Sequence, residues 1–324
     1  MKKYTIKRYE SADYKNWNAF INKAKNATFL FHRDFMEYHK DRFEDYSLIV
    51  LDGNKWVAIL PANRVGNTVH SHQGLSYGTI IVLDSIRIKE YLEIFWTLMK
   101  ELNERKIDLV HFKLVPKIYN KTIADEIDYA SFLMKSQTYR SDVYLVIDMK
   151  HQYKPNRNRD RALKVANSLG IEIREENDYL SFWNEILIPN LNNRFNVNPV
   201  HTVDEITKLA ASFPEEIKLF NAYLSDVLKA GVVLFLFKDV VHFQYSSGSD
   251  DRMDTAALDI LFDFVIKKYS NKQYISFGSS SENEGLSLNE GLAYWKESFG
   301  AKTLTQNFIR IETKNYIELN NIVK

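Results

Sequence analysis

The chain has 324 residues, 45% hydrophobic and 26% charged, with a formal net charge of +1. This describes a globular protein of about two domain-lengths at roughly 150 residues each, and excludes collagen-like and broadly disordered classes. Cysteine is absent, which excludes disulfides, thiolate metal sites and cysteine nucleophiles. In chain order, alternation predicts a strand over 4–9, with helices over 14–25 and 29–42. Strand-like runs over 46–51 and 55–65 flank Asp52, Gly53 and Asn54, a hairpin signal because glycine accepts the positive φ of a tight turn. Another strand begins near Thr68. Tyr91, Leu92, Phe95, Leu98, Met99 and Leu102 give 86–104 helical spacing. A strand over 107–114, a helix over 122–134 and a strand over 141–149 complete the first half.

The second half repeats that order. A short strand over 171–174 precedes helices over 180–191 and 202–212, the latter opened by a capping box of Thr202 and Glu205. Strands over 217–224, 227–237 and 240–246 follow in succession, rich in Val, Phe and Tyr. A helix carries Leu258, Leu261, Phe262, Val265 and Ile266 on one face. Strand 274–277, helix 288–299 and strand 305–311 end the chain. Each half therefore reads as β, two helices, a three-strand meander, α, β, α, β, a module used twice. The intervening 150–170 contains Pro155 and no apolar residue over 154–161, so the boundary is expected there, with domains of 1–150 and 151–324. The longest apolar run, 230–237, is far short of the ~20 residues of a membrane helix. The basic start is followed by no apolar stretch of a secretory leader. The expectation is a cytoplasmic protein without a membrane span.

Several local patterns carry sharper signals. The stretch 276–301 ends a strand at Gly278 and carries Lys296 on a helix before Phe299 and Gly300. The stretch 244–266 runs from a strand through Gly248 into a helix, and SHQGLSYG (71–78) and NPVHT (198–202) stand apart from the predicted elements. With the doubled element order, these segments resemble the FemAB-like family of tandem GNAT acyltransferases, in particular members from bacterial surface-polysaccharide clusters. The resemblance implies an α+β fold of two GNAT-like domains, each a mixed central sheet flanked by helices. It implies an N-acyltransferase using acyl-CoA as co-substrate, with the fuller donor site in the second half. One departure is plain: the family's acyl-CoA turn is glycine-rich, whereas 246–254 holds only Gly248.

Acyl transfer to an amine needs an uncharged nucleophile, a clamp on the donor and groups aimed at the developing oxyanion. The turn of Ser246, Ser247 and Gly248, followed by Arg252 at a helix start, is the expected donor-phosphate site, since free N–H groups at a helix N-terminus favour anions. The resemblance makes Lys296 a catalytic charge facing the site. Tyr245, if turned the same way, is a proton donor to the leaving group, and Glu282, like Glu284 in the same loop, is a candidate base. Lys154, Arg157, Arg161 and Lys164 recur at helical spacing, with Arg159 and Asp160 elsewhere, so Arg157 and Arg161 are candidate phosphate contacts. Here a solvated helix face is the competing reading. His70 and His72 project from one strand face, too few for a metal, and with Tyr77 are assigned to substrate, as are Arg194 and His201. No metal is expected.

The sequence thus points to acyl transfer onto an amino-sugar or nucleotide-linked glycan precursor, with no DNA partner. An aminoacyl-tRNA donor is the second reading, disfavoured by the near-neutral charge because RNA binding rests on many phosphate contacts. A non-catalytic glycan-binding protein on the same frame is the third.

Overall fold

The computed structural model describes residues 3–322, apart from the side chains of residues 194, 195, 252 and 253. The described residues form two compact units, one of 3–142, 284–286 and 305–322, the other of 143–283 and 287–304. The division thus falls at Asp142 and not at Lys150. The reason is an exchange of strands. The Gln137–Asp148 strand runs unbroken across the division at Asp142, and its later part pairs with Tyr274–Ser279 in the second unit. The strand Lys302–Glu312 returns to pair with Leu109–Lys113 in the first unit. Nor is 150–170 a linker. Arg157–Leu169 is a helix, opened by the Asn156 side chain accepting from the Arg159 N–H and closed by Gly170 at φ +73.

In the first unit, Tyr4–Arg8, Leu48–Asp52, Lys55–Leu60 and Ile81–Val82 form an antiparallel sheet. Its Leu48–Leu60 hairpin turns at Gly53, φ +60, as the sequence predicts. A second sheet orders Lys302–Glu312, Leu109–Lys113, Thr68–His70, Asn63–Val65 and Glu44–Asp45. The Ile88–Glu104 helix buries Phe95, Leu98, Met99 and Leu102 in one core with Val110, Phe112 and Ile309. Each such side chain contributes roughly 1.5–3 kcal/mol by leaving water. The helix predicted over 29–42 is broken instead. Phe29–Phe31 is a buried 3-10 turn, His32 is extended, and Arg33–Met36 restarts with its first N–H given to Asn18 Oδ1.

In the second unit the strands Glu172–Glu176, Ile217–Leu224, Val227–Leu236 and Val240–Gly248 are antiparallel neighbours, and Tyr274–Ser279 lies beside the last of them. The Ala257–Lys268 helix packs Leu261, Phe262, Val265 and Ile266 into their core, where Phe262 stacks on Phe243 at 3.9 Å. The helix predicted over 180–191 holds a π-helical stretch, Phe182–Leu187, just ahead of Pro189, which has no N–H to give.

Among the described residues each unit contains a parallel strand pair, joined through a helix as parallel connections require. In the first, Thr68–His70 pairs with residues 109–111; in the second, residues 240–242 pair with 274–276. His70 and His242 close the pairing at the same topological position. Beyond them the paired strands part, and the mouth of such a splay, at the carboxyl ends of the strands, is where open α/β sheets receive ligands.

Candidate functional site

In the first unit the splay opens into a pocket of about 250 Å³. The strand Leu109–Lys113 sends His111 and Lys113 to it from alternate positions, His70 ends the strand Thr68–His70 beside it, and the turn that follows supplies His72 and Gln73. His70 and His111 lie with ring centres 5.0 Å apart, and Tyr139 is 5.1 Å from His111. Burial lowers both histidines, His111 to about 4 with help from His70 and Arg310, so the two imidazoles are neutral at pH 7. Lys113 is pulled down to about 8, chiefly by burial. Its ammonium donates to the Leu75 carbonyl at 2.6 Å, and no carboxylate pairs with it among the described residues. Arg140 also lines the pocket, but its Nε and Nη2 donate to Asp142, at 2.9 and 2.7 Å, and it lies over the Phe308 ring. Among the described residues Lys113 is therefore the cation of this pocket without a carboxylate partner. Glu284, left-handed at φ +55, completes the rim. The loop can come this close because Gly285 follows: a Cβ there would stand 2.6 Å from the Ser141 carbonyl oxygen.

In the second unit the parting strands are closed by Lys296. This residue is 4% exposed. Its ammonium donates to the carbonyls of Gly278, 3.2 Å, and Ser279, 2.6 Å. Those carbonyls turn toward it because Gly278 sits at φ +70, where the pairing with the Gln137–Asp148 strand slips register. Burial lowers Lys296 to about 7, and burial together with Lys296 lowers His242 to about 3.

The structure sorts the remaining expectations. Tyr245 and His201 come together: the Tyr245 hydroxyl accepts from the His201 backbone N–H at 3.2 Å and meets its Nδ1 at 2.6 Å. Trp183 Nε1–H donates to the His201 carbonyl and its ring stands against Tyr245. Ser246, Ser247 and Gly248 are not a turn. The strand continues through them, each paired with the Val227–Leu236 strand, and Asn190 donates to the Ser247 hydroxyl and the Gly248 carbonyl. A single α-helical turn, Arg252–Thr255, does start shortly after it, and a left-handed Ala256 separates that turn from the Ala257–Lys268 helix. Glu282 is exposed and accepts from Asn289, the residue that caps the helix carrying Lys296. His72 does not share a strand face with His70, because the strand ends at His70 and His72 is left-handed at φ +71; both nonetheless line the pocket. Tyr77 is core, 3% exposed, donating to the Thr28 hydroxyl and packed on Phe31 and Tyr119.

Arg157 and Arg161 are exposed on their helix. The arginine set aside in the sequence, Arg159, is the buried one: it pairs with Asp259, donates to Ser298 Oγ at 3.1 Å and lies over Phe299. The side chains of Arg194 and Arg252 lie outside the described residues. Sequence reasoning missed His111, Lys113, Tyr139 and Arg140. The period-two spacing of His111 and Lys113 on a predicted strand was the available signal.

No protein-family model matches this sequence, and no curated protein matches it either. Solved structures do. FemX superposes with a TM-score of 0.66 at 9% identity, over 98% of this chain and 99% of that one. The C-terminal domain of a putative lysylphosphatidylglycerol synthetase from Agrobacterium fabrum gives 0.59 at 10% identity, over 95% and 94%. A tandem GNAT protein from the clavulanic acid biosynthesis pathway gives 0.51 at 9% identity, over 96% and 99%. At these identities the likeness is one of fold, and it spans essentially the whole chain. This protein has the α+β, tandem GNAT fold of the FemAB-like proteins.

Proposed function

We propose that the protein is an acyltransferase that moves an activated acyl group onto an amine, and that the 250 Å³ pocket of the first unit seats an anionic group of one substrate. The observation that carries this reading is the open splay of a tandem GNAT fold lined by Lys113, a cation without a carboxylate partner among the described residues, beside two neutral imidazoles. Lys113 takes a phosphate or carboxylate oxygen. In the transfer, the amine nitrogen bonds to the acyl carbon, the carbonyl oxygen takes the negative charge, and the bond to the donor's thiol or hydroxyl oxygen breaks as the carbonyl reforms. The nitrogen sheds one proton, which His70 or His111 can accept because each is unprotonated, and the leaving group departs with a proton. A cavity this size, below the ~300–1,000 Å³ of drug-sized sites, fits one sugar or amino-acid unit of a larger substrate. An amino-sugar bearing phosphate or a nucleotide link is the acceptor we assign.

The donor is an acyl-CoA or an aminoacyl-tRNA. The ladder pairing of Ser246–Gly248 favours the second, since a diphosphate-binding turn is missing from that place. The test is transfer from a panel of acyl-CoAs and aminoacyl-tRNAs to UDP-amino sugars, read by mass spectrometry. Lys113→Met is expected to raise KM about tenfold with kcat little changed. Saturable glycan binding without product from any donor would establish the non-catalytic reading instead.

A further inference from the structure

The first unit holds a second, larger cavity of about 470 Å³ that shares only His72 with the pocket above. Arg33 lines it. This side chain is 1% exposed, its guanidinium lying 3.4 Å over the Tyr9 ring and 4.2 Å over Trp17. Asp45 and Glu37 pair with its Nη1. The Nε and Nη2 atoms are buried with no hydrogen-bond partner among the described residues. Leaving such donors unsatisfied is costly, more so when they are charged, and this edge of a guanidinium matches the two oxygens of a carboxylate. His72, 5% exposed, has a buried Nδ1 in the same condition. Its turn is fixed from outside, where Asn63 exchanges hydrogen bonds with Gln73 at 2.7 and 2.8 Å.

The charges around the cavity balance. Arg8, Arg33 and Lys40 face Glu10, Glu37 and Asp45, so a polyphosphate would meet as many carboxylates as cations. A ligand carrying one charge of each sign meets no such repulsion. Tyr9, Tyr14, Met36 and Phe43 supply the apolar wall between.

We propose that this cavity binds a small zwitterion, a free amino acid with an apolar or ring-shaped side chain: the carboxylate lies on the Nε–Nη2 edge of Arg33, the ammonium lies toward Glu10 and Glu37, and the body lies against Met36 and Phe43. The site is separate from acyl transfer and is tested without it. Titration calorimetry of the intact protein against the twenty common amino acids is expected to show saturable binding by an aromatic or large aliphatic member. For that amino acid, the decarboxylated amine and the deaminated acid should each bind at least about tenfold more weakly. Arg33→Met and Glu37→Gln should each weaken it by a similar factor. Because Arg33 is buried, thermal melting accompanies its variant, and Glu37→Gln at the rim, with the two truncated ligands on the unaltered protein, carries the test if Arg33→Met does not fold. Binding by none of the amino acids, equal binding by a truncated analogue, or tighter binding of inorganic phosphate would overturn the assignment.

Discussion

The ammonium of Lys296 stands 2.6 Å from the carbonyl oxygen of Ser279, closing the splay of the second unit with a charge that burial makes costly. Its folded-state value of about 7 lies below the ordinary 10.5. Below pH 7 the group is protonated folded and unfolded, and the burial cost is present in full. As pH rises from 7 toward 10.5 the folded state releases the proton first, so stability rises through that window, by several kcal/mol at most. Urea unfolding across pH 7 to 10 should show this gain in the native protein and not in Lys296→Met. Equal slopes for the two proteins would mean that Lys296 carries no depressed pKa.

Lys113 makes the opposite prediction for binding. With its value at about 8, the lysine is cationic below that pH and neutral above it. The kcat/KM for an anionic substrate is therefore expected to fall above pH 8 and level off about tenfold lower, at the value of Lys113→Met, which is low throughout and flat. A native profile that stays level to pH 10 would remove Lys113 from substrate binding.

The buried pair of Arg159 and Asp259 should dominate the energetics of its helix. Burial pushes the Asp259 carboxyl up, and Arg159 draws it back. Arg159→Met leaves that carboxylate uncompensated beside Trp295, at a cost of about 3–5 kcal/mol. Arg157→Ala and Arg161→Ala, both exposed, should stay within about 0.5 kcal/mol. Denaturant midpoints decide it, and a mild Arg159 variant would contradict the buried pair.

His201 and Tyr245 should behave as one unit. A double-mutant cycle of His201→Ala and Tyr245→Phe, read by chemical unfolding, is expected to give a coupling of about 1 kcal/mol. Simple additivity would mean that the 2.6 Å contact contributes nothing.

Most elements were legible because burial leaves a period in the sequence. The helix at Ile88–Glu104 and the strands from Ile217 to Gly248 fall where apolar spacing puts them. Strand partners leave no such mark, and so the boundary at 150 was misplaced: nothing in residues 137–148 or 302–312 says which sheet they join. The arginines of the Arg157–Leu169 helix were inverted for a related reason. Helical spacing groups Arg157 with Arg161 but does not say which face turns inward, and Asp259, the partner that draws Arg159 in, lies a hundred residues away. The pocket was half visible, through His70 and His72, because its other residues come from distant strands.

The return of Lys302–Glu312 to Leu109–Lys113 bears on how the protein is made. The ribosome emits residues 109–113 long before the strand that covers them, so an emerging chain presents a bare sheet edge, a template for wrong partners. Completion of the first unit waits until residues 302–312 have emerged, and a chain cut short before them would be a sticky fragment in place of a working half.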